Sequence, residues 1–149
     1  MKKQINAALL GLALMFATAA SASAQAAGSM RIHVPFDFVA GKKHLSAGNY
    51  TVRRVRSDAE SALIIRSEDG REAAVVITQS AGESNSRAAL TFRQYGERYF
   101  LADISIPGTA TVRELPKSGG EKKAEGKLLE EAGAGRGAVK KVTITGSAL

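Results

Sequence analysis

Strict alternation between apolar and polar residues is the feature that most constrains the fold of this chain. Beyond the first 30 residues, Ile32, Val34, Phe36 and Phe38 alternate with polar neighbours or proline. Successive side chains of a strand point to opposite faces, so this spacing predicts a strand with one buried face. Pro35 has no N–H to donate, which predicts that the strand lies at a sheet edge or turns this nitrogen outward.

Turn signals separate further segments of the same kind. Tyr50 to Val55 is predicted to be a strand with a bulge near Arg53 and Arg54, because the alternation shifts there. Asp69 and Gly70 tolerate positive φ and predict a hairpin between the third and fourth strands. The later strands are expected at residues 62–66, 72–79, 88–95, 98–106 and 111–113, with a polar loop at 81–87.

The strands are not separated by amphipathic helices, which argues against a parallel sheet with helical crossovers. We therefore expect a mostly β fold for residues 31–116: a single small antiparallel β-sandwich or barrel of six to seven strands.

The first 26 residues are typical of a secretory signal peptide. Lys2 and Lys3 precede an apolar run at residues 7–20, and small residues with A-x-A cleavage patterns follow at 21–26. The run is shorter than the roughly 20 apolar residues that span a bilayer. We predict Sec-type export to the periplasm or the extracellular space, without stable membrane insertion after cleavage.

The composition excludes several kinds of chemistry. The chain has no cysteine, so disulfides, thiol catalysis and cysteine-ligated metals are excluded. The formal charge of +7 includes the two leader lysines, and residues 31–116 carry 12 basic and ten acidic side chains. Such a balance does not favour nucleic-acid binding, which requires a concentrated basic surface.

The composition changes after Pro116. Residues 117–149 are rich in Lys, Glu, Gly and Ala and read as a low-complexity, basic and flexible tail. Ser118 and Glu121 have the spacing of a capping box, which predicts a weak helix that ends before Gly133. Residues 139–145 are expected to form one last strand.

Candidate catalytic groups do not form a recognisable set. Asp103 lies within an apolar segment, where it faces solvent or pairs with an arginine, and Asp37 is a second carboxylate. His33, Asp37 and His44 lack a repeated ligand spacing, so neither a metal nor another cofactor is predicted. The serines lie outside known nucleophile motifs. The sequence therefore predicts a protein that is not an enzyme.

Arginines near the predicted second strand suggest a surface for an anionic ligand. Arginine recognises phosphate and carboxylate groups through its planar, bidentate fork. The candidate ligand-binding residues are Arg53, Arg54, Arg93 and Tyr99.

Several segments resemble a family of small exported bacterial proteins of unknown function. They are VPFDF at 34–38, GKKHLSAGNYTV at 41–52, RYFLA at 98–102, IPG at 106–108 and RELPKS at 113–118. The resemblance implies a mostly β domain and carries no activity or site residue.

The function expected from these observations is that of an exported, non-enzymatic β domain that binds a protein partner or a component of the cell envelope. One alternative is a carrier of a small apolar or anionic ligand, held in a cavity between the sheets and rimmed by Arg53, Arg93 or Tyr99. A second is a small hydrolase of envelope polymer, which requires Asp103 or Asp37 beside another carboxylate or a histidine in a cleft. The sequence alone does not define the oligomeric state.

Overall fold

A computed structural model describes residues 28–56, 58–133 and 139–149, so the predicted leader lies outside the described residues. Strands and one helix account for most of them. The elements are β1 (Ser29–Val34), β2 (Phe38–Ala40), β3 (Lys43–Leu45), β4 (Gly48–Arg56), β5 (Ala59–Ser67), β6 (Ala73–Ile77), β7 (Gln79–Glu83), β8 (Ala89–Tyr95), β9 (Arg98–Ser105), β10 (Thr111–Glu114), α1 (Gly119–Glu131), β11 (Lys140–Thr145) and β12 (Ser147–Ala148).

The strands form two sheets that face each other. Sheet A has the order β12-β1-β4-β5-β6, and the main path of sheet B is β11-β8-β9-β10-β7. The hairpin of β2 and β3 joins sheet B through a parallel pairing of β2 with β9. The predicted mostly β class is confirmed, and because the sheets are not closed into a barrel, the architecture is a sandwich.

Local turn chemistry accounts for much of the register. The bulge predicted in β4 is present, because its pairing with β5 shifts between Arg54 and Arg56. The predicted β5–β6 hairpin is also present, and Gly70 has φ +73°, which favours glycine. The β1–β4 ladder reaches Val34 and stops before Pro35, which has no N–H for a further pair.

The structure has more strands than the six to seven expected. Residues 81–87 were predicted to be loop, whereas β7 extends through Glu83 and pairs with β10. All five residues of β7 are exposed, so no apolar alternation marks this strand. It forms because the chain leaves sheet A at Thr78, which bonds to Ser61, and then enters sheet B beside β10.

The core lies between the two sheets. Phe38 packs edge to face on both Tyr50 and Phe92, with ring centroids 5.3 Å apart in each pair. Aliphatic residues from the inner faces fill the rest, including Met30, Ile32, Val52, Leu63, Ile65, Leu90, Leu101 and Ile104. The alternation in the sequence is thus the alternation between this core and the surface.

The segment after Pro116 contributes to the sandwich. Helix α1 begins after Ser118, whose Oγ accepts from the N–H of Glu121 as the capping box predicts, and it ends before Gly133. Ala124 of the helix is buried near Val39 and Phe100. β11 pairs with β8 over its whole length. The flexibility of residues 117–149 stays a prediction, but their described part is not a detached tail, because distant strands supply its pairing partners.

A glycine forms the corner between the sheets. Gly146 lies between β11 of sheet B and β12 of sheet A, and its N–H donates to the carbonyl of Ala88 at 2.9 Å. A Cβ at this position would lie 2.4 Å from the carbonyl oxygen of Arg31. Only a residue without a side chain fits this close approach of two backbones.

Candidate functional site

The structure does not bring the four predicted ligand-binding residues together. Arg53 is exposed on sheet A, whereas Arg54, beyond it on β4, lines a cleft with Leu63. Arg93 is buried on β8. The Tyr99 ring is half-buried and stacks on Phe36 at a centroid distance of 3.8 Å.

Arg93 is engaged by helix α1. Its Nε donates to Oε1 of Glu121 at 2.5 Å, and its Nη2 donates to the carbonyl of Leu115 at 3.2 Å. The hydroxyl of Tyr95 donates to the same carboxylate at 3.0 Å. Burial opposes the charge of Arg93, but the hydrogen bond and the negative charge of Glu121 raise its pKa above the ordinary value. These contacts hold the helix to the sheet.

The Glu121 carboxylate was not predicted to have this role. In a capping box this carboxylate would bond to the backbone at the amino end of the helix. Of the two hydrogen bonds of the motif, the one from the Glu121 N–H to Oγ of Ser118 is present. The carboxylate instead reaches Arg93, 28 residues earlier. A long-range pair of this kind leaves no local signal in the sequence.

A cleft of about 480 Å³ lies beside Tyr50 and Glu72. The Tyr50 hydroxyl lies 2.9 Å from Oε2 of Glu72 and 2.5 Å from the carbonyl of Ser46. The Ser46 N–H also donates to Glu72 at 2.9 Å. The pKa of Glu72 is lowered, mainly by the hydrogen bond from the Ser46 N–H and secondly by the one from the Tyr50 hydroxyl. The pKa of Tyr50 is raised, mainly by burial and secondly by its hydrogen bond to Glu72. The contacts join the turn before β4 to the turn before β6.

Of the two carboxylates considered for hydrolysis, Asp37 lies between β1 and β2, and Asp103 lies on β9 opposite Glu114 of β10. Asp37 accepts a hydrogen bond from the N–H of Ala47 at 2.8 Å. Asp103 on β9 is half-buried, and its Oδ2 lies 4.0 Å from Nζ of Lys141, so its partner is a lysine rather than an arginine. Burial raises the pKa of Asp103, the charge of Lys141 opposes this shift, and Glu114 reinforces it.

The edge of sheet A at β6 presents free backbone groups. The N–H of Ser67 donates to the carbonyl of Glu72, and the N–H of Thr78 donates to that of Ser61. Glu72 and Thr78 are therefore in hydrogen-bonded pairs with β5. Hydrogen-bonded and non-bonded pairs alternate along an antiparallel ladder, so Ala74 and Val76 also face β5, and the residues between them direct their N–H and C=O groups away from β5. These outward residues are Ala73, Val75 and Ile77. The sheet order places no described strand beyond them.

The side chains of the same strand are also unusual. Val75 and Ile77 are 62% and 65% exposed, and Ile64 and Ala62 lie opposite them on β5. β6 has no charged residue, proline or bulge, which are the devices that protect most sheet edges. By contrast, β11 carries Lys140 and Lys141. We call the outward backbone groups of Ala73, Val75 and Ile77, with their exposed side chains, the β6 edge.

Comparison of the chain with protein-family models, with curated proteins and with solved structures found no match. No helix in residues 28–56, 58–133 and 139–149 is long and apolar enough to cross a membrane. In that part of the chain, no group of three or more His, Cys, Asp or Glu side chains has an arrangement that holds a metal ion. His33, one of the residues considered as a ligand, lies with Nδ1 2.8 Å from Oδ1 of Asn49.

Proposed function

We propose that this chain is an exported, non-enzymatic binding domain that recognises a protein partner or a protein of the cell envelope by strand addition at the β6 edge. The observation that carries the proposal is the coincidence of free backbone groups with exposed aliphatic side chains on one strand. Neither feature alone has this meaning, because every sheet has edges and most surfaces carry isolated apolar residues.

Strand addition supplies both affinity and selectivity. An extended segment that pairs with β6 exchanges two main-chain hydrogen bonds at each of Ala73, Val75 and Ile77. It also covers Val75 and Ile77, and full burial of one aliphatic side chain stabilises by about 1.5–3 kcal/mol. Ile64 on β5 extends the apolar strip, so a partner with aliphatic residues at alternate positions is favoured.

The proposed location follows from the sequence. The features of residues 1–26 support export, and the resemblance to small exported proteins supports the same compartment. The absence of cysteine is compatible with a domain whose stability comes from strand pairing and apolar burial.

The test is photo-crosslinking from the β6 edge in intact cells that express the full chain. A photoreactive residue replaces Val75, and the matched control carries it at Leu129, which is 49% exposed on α1. We expect a discrete adduct from position 75 that is absent from position 129. The substitution Ile77→Lys places a charge on the edge and is expected to abolish the adduct.

Mass spectrometry of the adduct identifies the partner and the crosslinked segment. A crosslink to an extended segment of one protein supports strand addition. The proposal is wrong if position 75 gives no specific adduct, or if Ile77→Lys leaves the adduct unchanged while the variant remains folded by circular dichroism.

A further inference from the structure

A second cleft lies where the two sheets separate at one end of the sandwich, and its walls come from both sheets. Its volume is about 190 Å³. Leu63 of β5 and Ile106, which follows β9, form its apolar floor, where each is 1% exposed. The polar lining comes from Arg54, Glu60, Arg113 and the 108–111 segment.

Arg113 is a buried cation without a counter-ion. Its residue is only 9% exposed. Nε donates to Oγ1 of Thr78 at 3.1 Å and Nη2 donates to the Thr78 carbonyl at 3.3 Å, and both acceptors are neutral. No carboxylate of the described chain lies within 4.0 Å of it. An unpaired buried charge is costly, so an arginine in this position requires an explanation.

One nitrogen of Arg113 remains available for a ligand. Nη1 forms no hydrogen bond with any residue that the structure describes. Since no buried polar side-chain atom among those residues lacks a partner, Nη1 must be open to solvent, and the cleft is the space that Arg113 lines. A donor with a full positive charge thus reaches a partly desolvated cavity.

The side chain of Arg54 also lines this cleft. It is partly exposed, and no hydrogen bond or ion pair joins its side chain to another residue that the structure describes. Its guanidinium lies over Gly28, where an added Cβ would be 2.7 Å from Nη2. Arg53, its neighbour in sequence, is absent from the cleft lining.

We infer that this cleft binds a small aliphatic carboxylate. The carboxylate group accepts hydrogen bonds from Arg113 and Arg54, because arginine donors match its geometry. The short hydrocarbon part lies toward the apolar floor at Leu63 and Ile106. The cleft is smaller than the roughly 300–1,000 Å³ of sites for drug-sized ligands, which limits the ligand to a few heavy atoms. The site is independent of the β6 edge.

Two features of the lining narrow the ligand class. Inorganic phosphate has oxygen on every side and would leave Leu63 and Ile106 against polar atoms, so an anion with one apolar end is favoured. Glu60 is exposed and repels any anion that enters, which sets a modest affinity.

The test is calorimetric titration of the full chain with butyrate, with uncharged butyramide and with inorganic phosphate in a low-salt buffer. We expect butyrate to bind more tightly than either of the others. Arg54→Gln removes a partly exposed, unpaired group and is expected to weaken butyrate binding about tenfold or more. The matched control Arg53→Gln, from the same strand, is expected to leave it unchanged.

Two more variants test the roles of the buried Arg113 and the exposed Glu60. Arg113→Met is expected to abolish butyrate binding while circular dichroism shows a folded chain, and Glu60→Gln is expected to strengthen it. The inference is overturned if butyrate does not bind, if butyramide or phosphate binds as tightly, or if Arg54→Gln and Arg53→Gln have equal effects. The Arg54 comparison decides the matter even where Arg113→Met fails to fold.

Discussion

The Glu121 carboxylate of helix α1 lies 2.5 Å from Nε of Arg93 on β8, and both side chains are buried. The helix has few apolar residues to bury, and Ala124 is the one whose side chain is buried. Its attachment to sheet B therefore combines a small apolar contact, made by Ala124 and Leu128, with this ion pair and with the Tyr95 hydroxyl that donates to the same carboxylate.

Glu121→Gln is expected to release helix α1 from the sheet. Removal of one partner of a buried ion pair typically costs about 3–5 kcal/mol. In this variant Arg93 would keep only the longer ion pair with Glu114, whose Oε1 lies 3.9 Å from its Nη1. The measurable results are a lower urea midpoint and faster amide exchange and proteolysis between residues 118 and 131. Glu130→Gln, on the exposed side of the helix, is the matched control and should change stability by less than about 0.5 kcal/mol. A wild-type midpoint and exchange pattern in the Glu121 variant would contradict this role.

Gly146→Ala is expected to strain the corner between the sheets. The added methyl group would lie 2.4 Å from the Arg31 carbonyl oxygen, so one backbone must move. Overpacking of this kind typically costs about 1–3 kcal/mol. Gly126→Ala is the control, because a Cβ there meets nothing within 4 Å and alanine favours the helix by about 1 kcal/mol. Urea unfolding should move the two midpoints in opposite directions, and equal shifts would argue against the close approach.

Local patterns were sufficient to predict much of the sandwich. The alternation around Val34, the bulge beyond Arg54 and the hairpin at Gly70 each depend on a few neighbouring residues, and all three are confirmed. β7 was missed because its exposed residues show no alternation. The pairing of β11 with β8 joins segments that are far apart in sequence, so composition alone suggested a separate tail.

The candidate sites were less predictable than the fold. Arg54 was identified as a ligand-binding residue, but its cleft also requires Arg113 and Leu63, which topology alone brings together. Arg93 has the charge of a ligand-binding residue, yet its partner is the internal Glu121. The β6 edge could not be predicted, because the sequence of residues 73–77 is that of an ordinary buried strand. Only the strand order shows that β6 is the last strand of sheet A.

Glu72→Gln is expected to change the pH dependence of stability. The Ser46 N–H and the Tyr50 hydroxyl lower the pKa of Glu72 in the folded state. A lowered pKa contributes stability that is present above the unfolded-state pKa and is lost as the pH falls through the folded-state value. The variant should therefore be less stable than wild type at neutral pH, and the difference should vanish in acid. Urea midpoints across this range test the prediction, with the exposed Glu97→Gln as the control.

Asp103→Asn is expected to show the opposite sign. Burial raises the pKa of Asp103, partly against the charge of Lys141. A raised carboxyl pKa contributes stability below the unfolded-state value that is lost as the pH rises through the folded-state value, so ionised Asp103 is a cost at neutral pH. The asparagine variant should be more stable than wild type at neutral pH and should lose that advantage in acid. Lys141→Gln should lower stability at neutral pH, because it removes the opposing charge. Asp58→Asn is the exposed control, and a neutral-pH gain equal to that of Asp103→Asn would show that burial is not the cause.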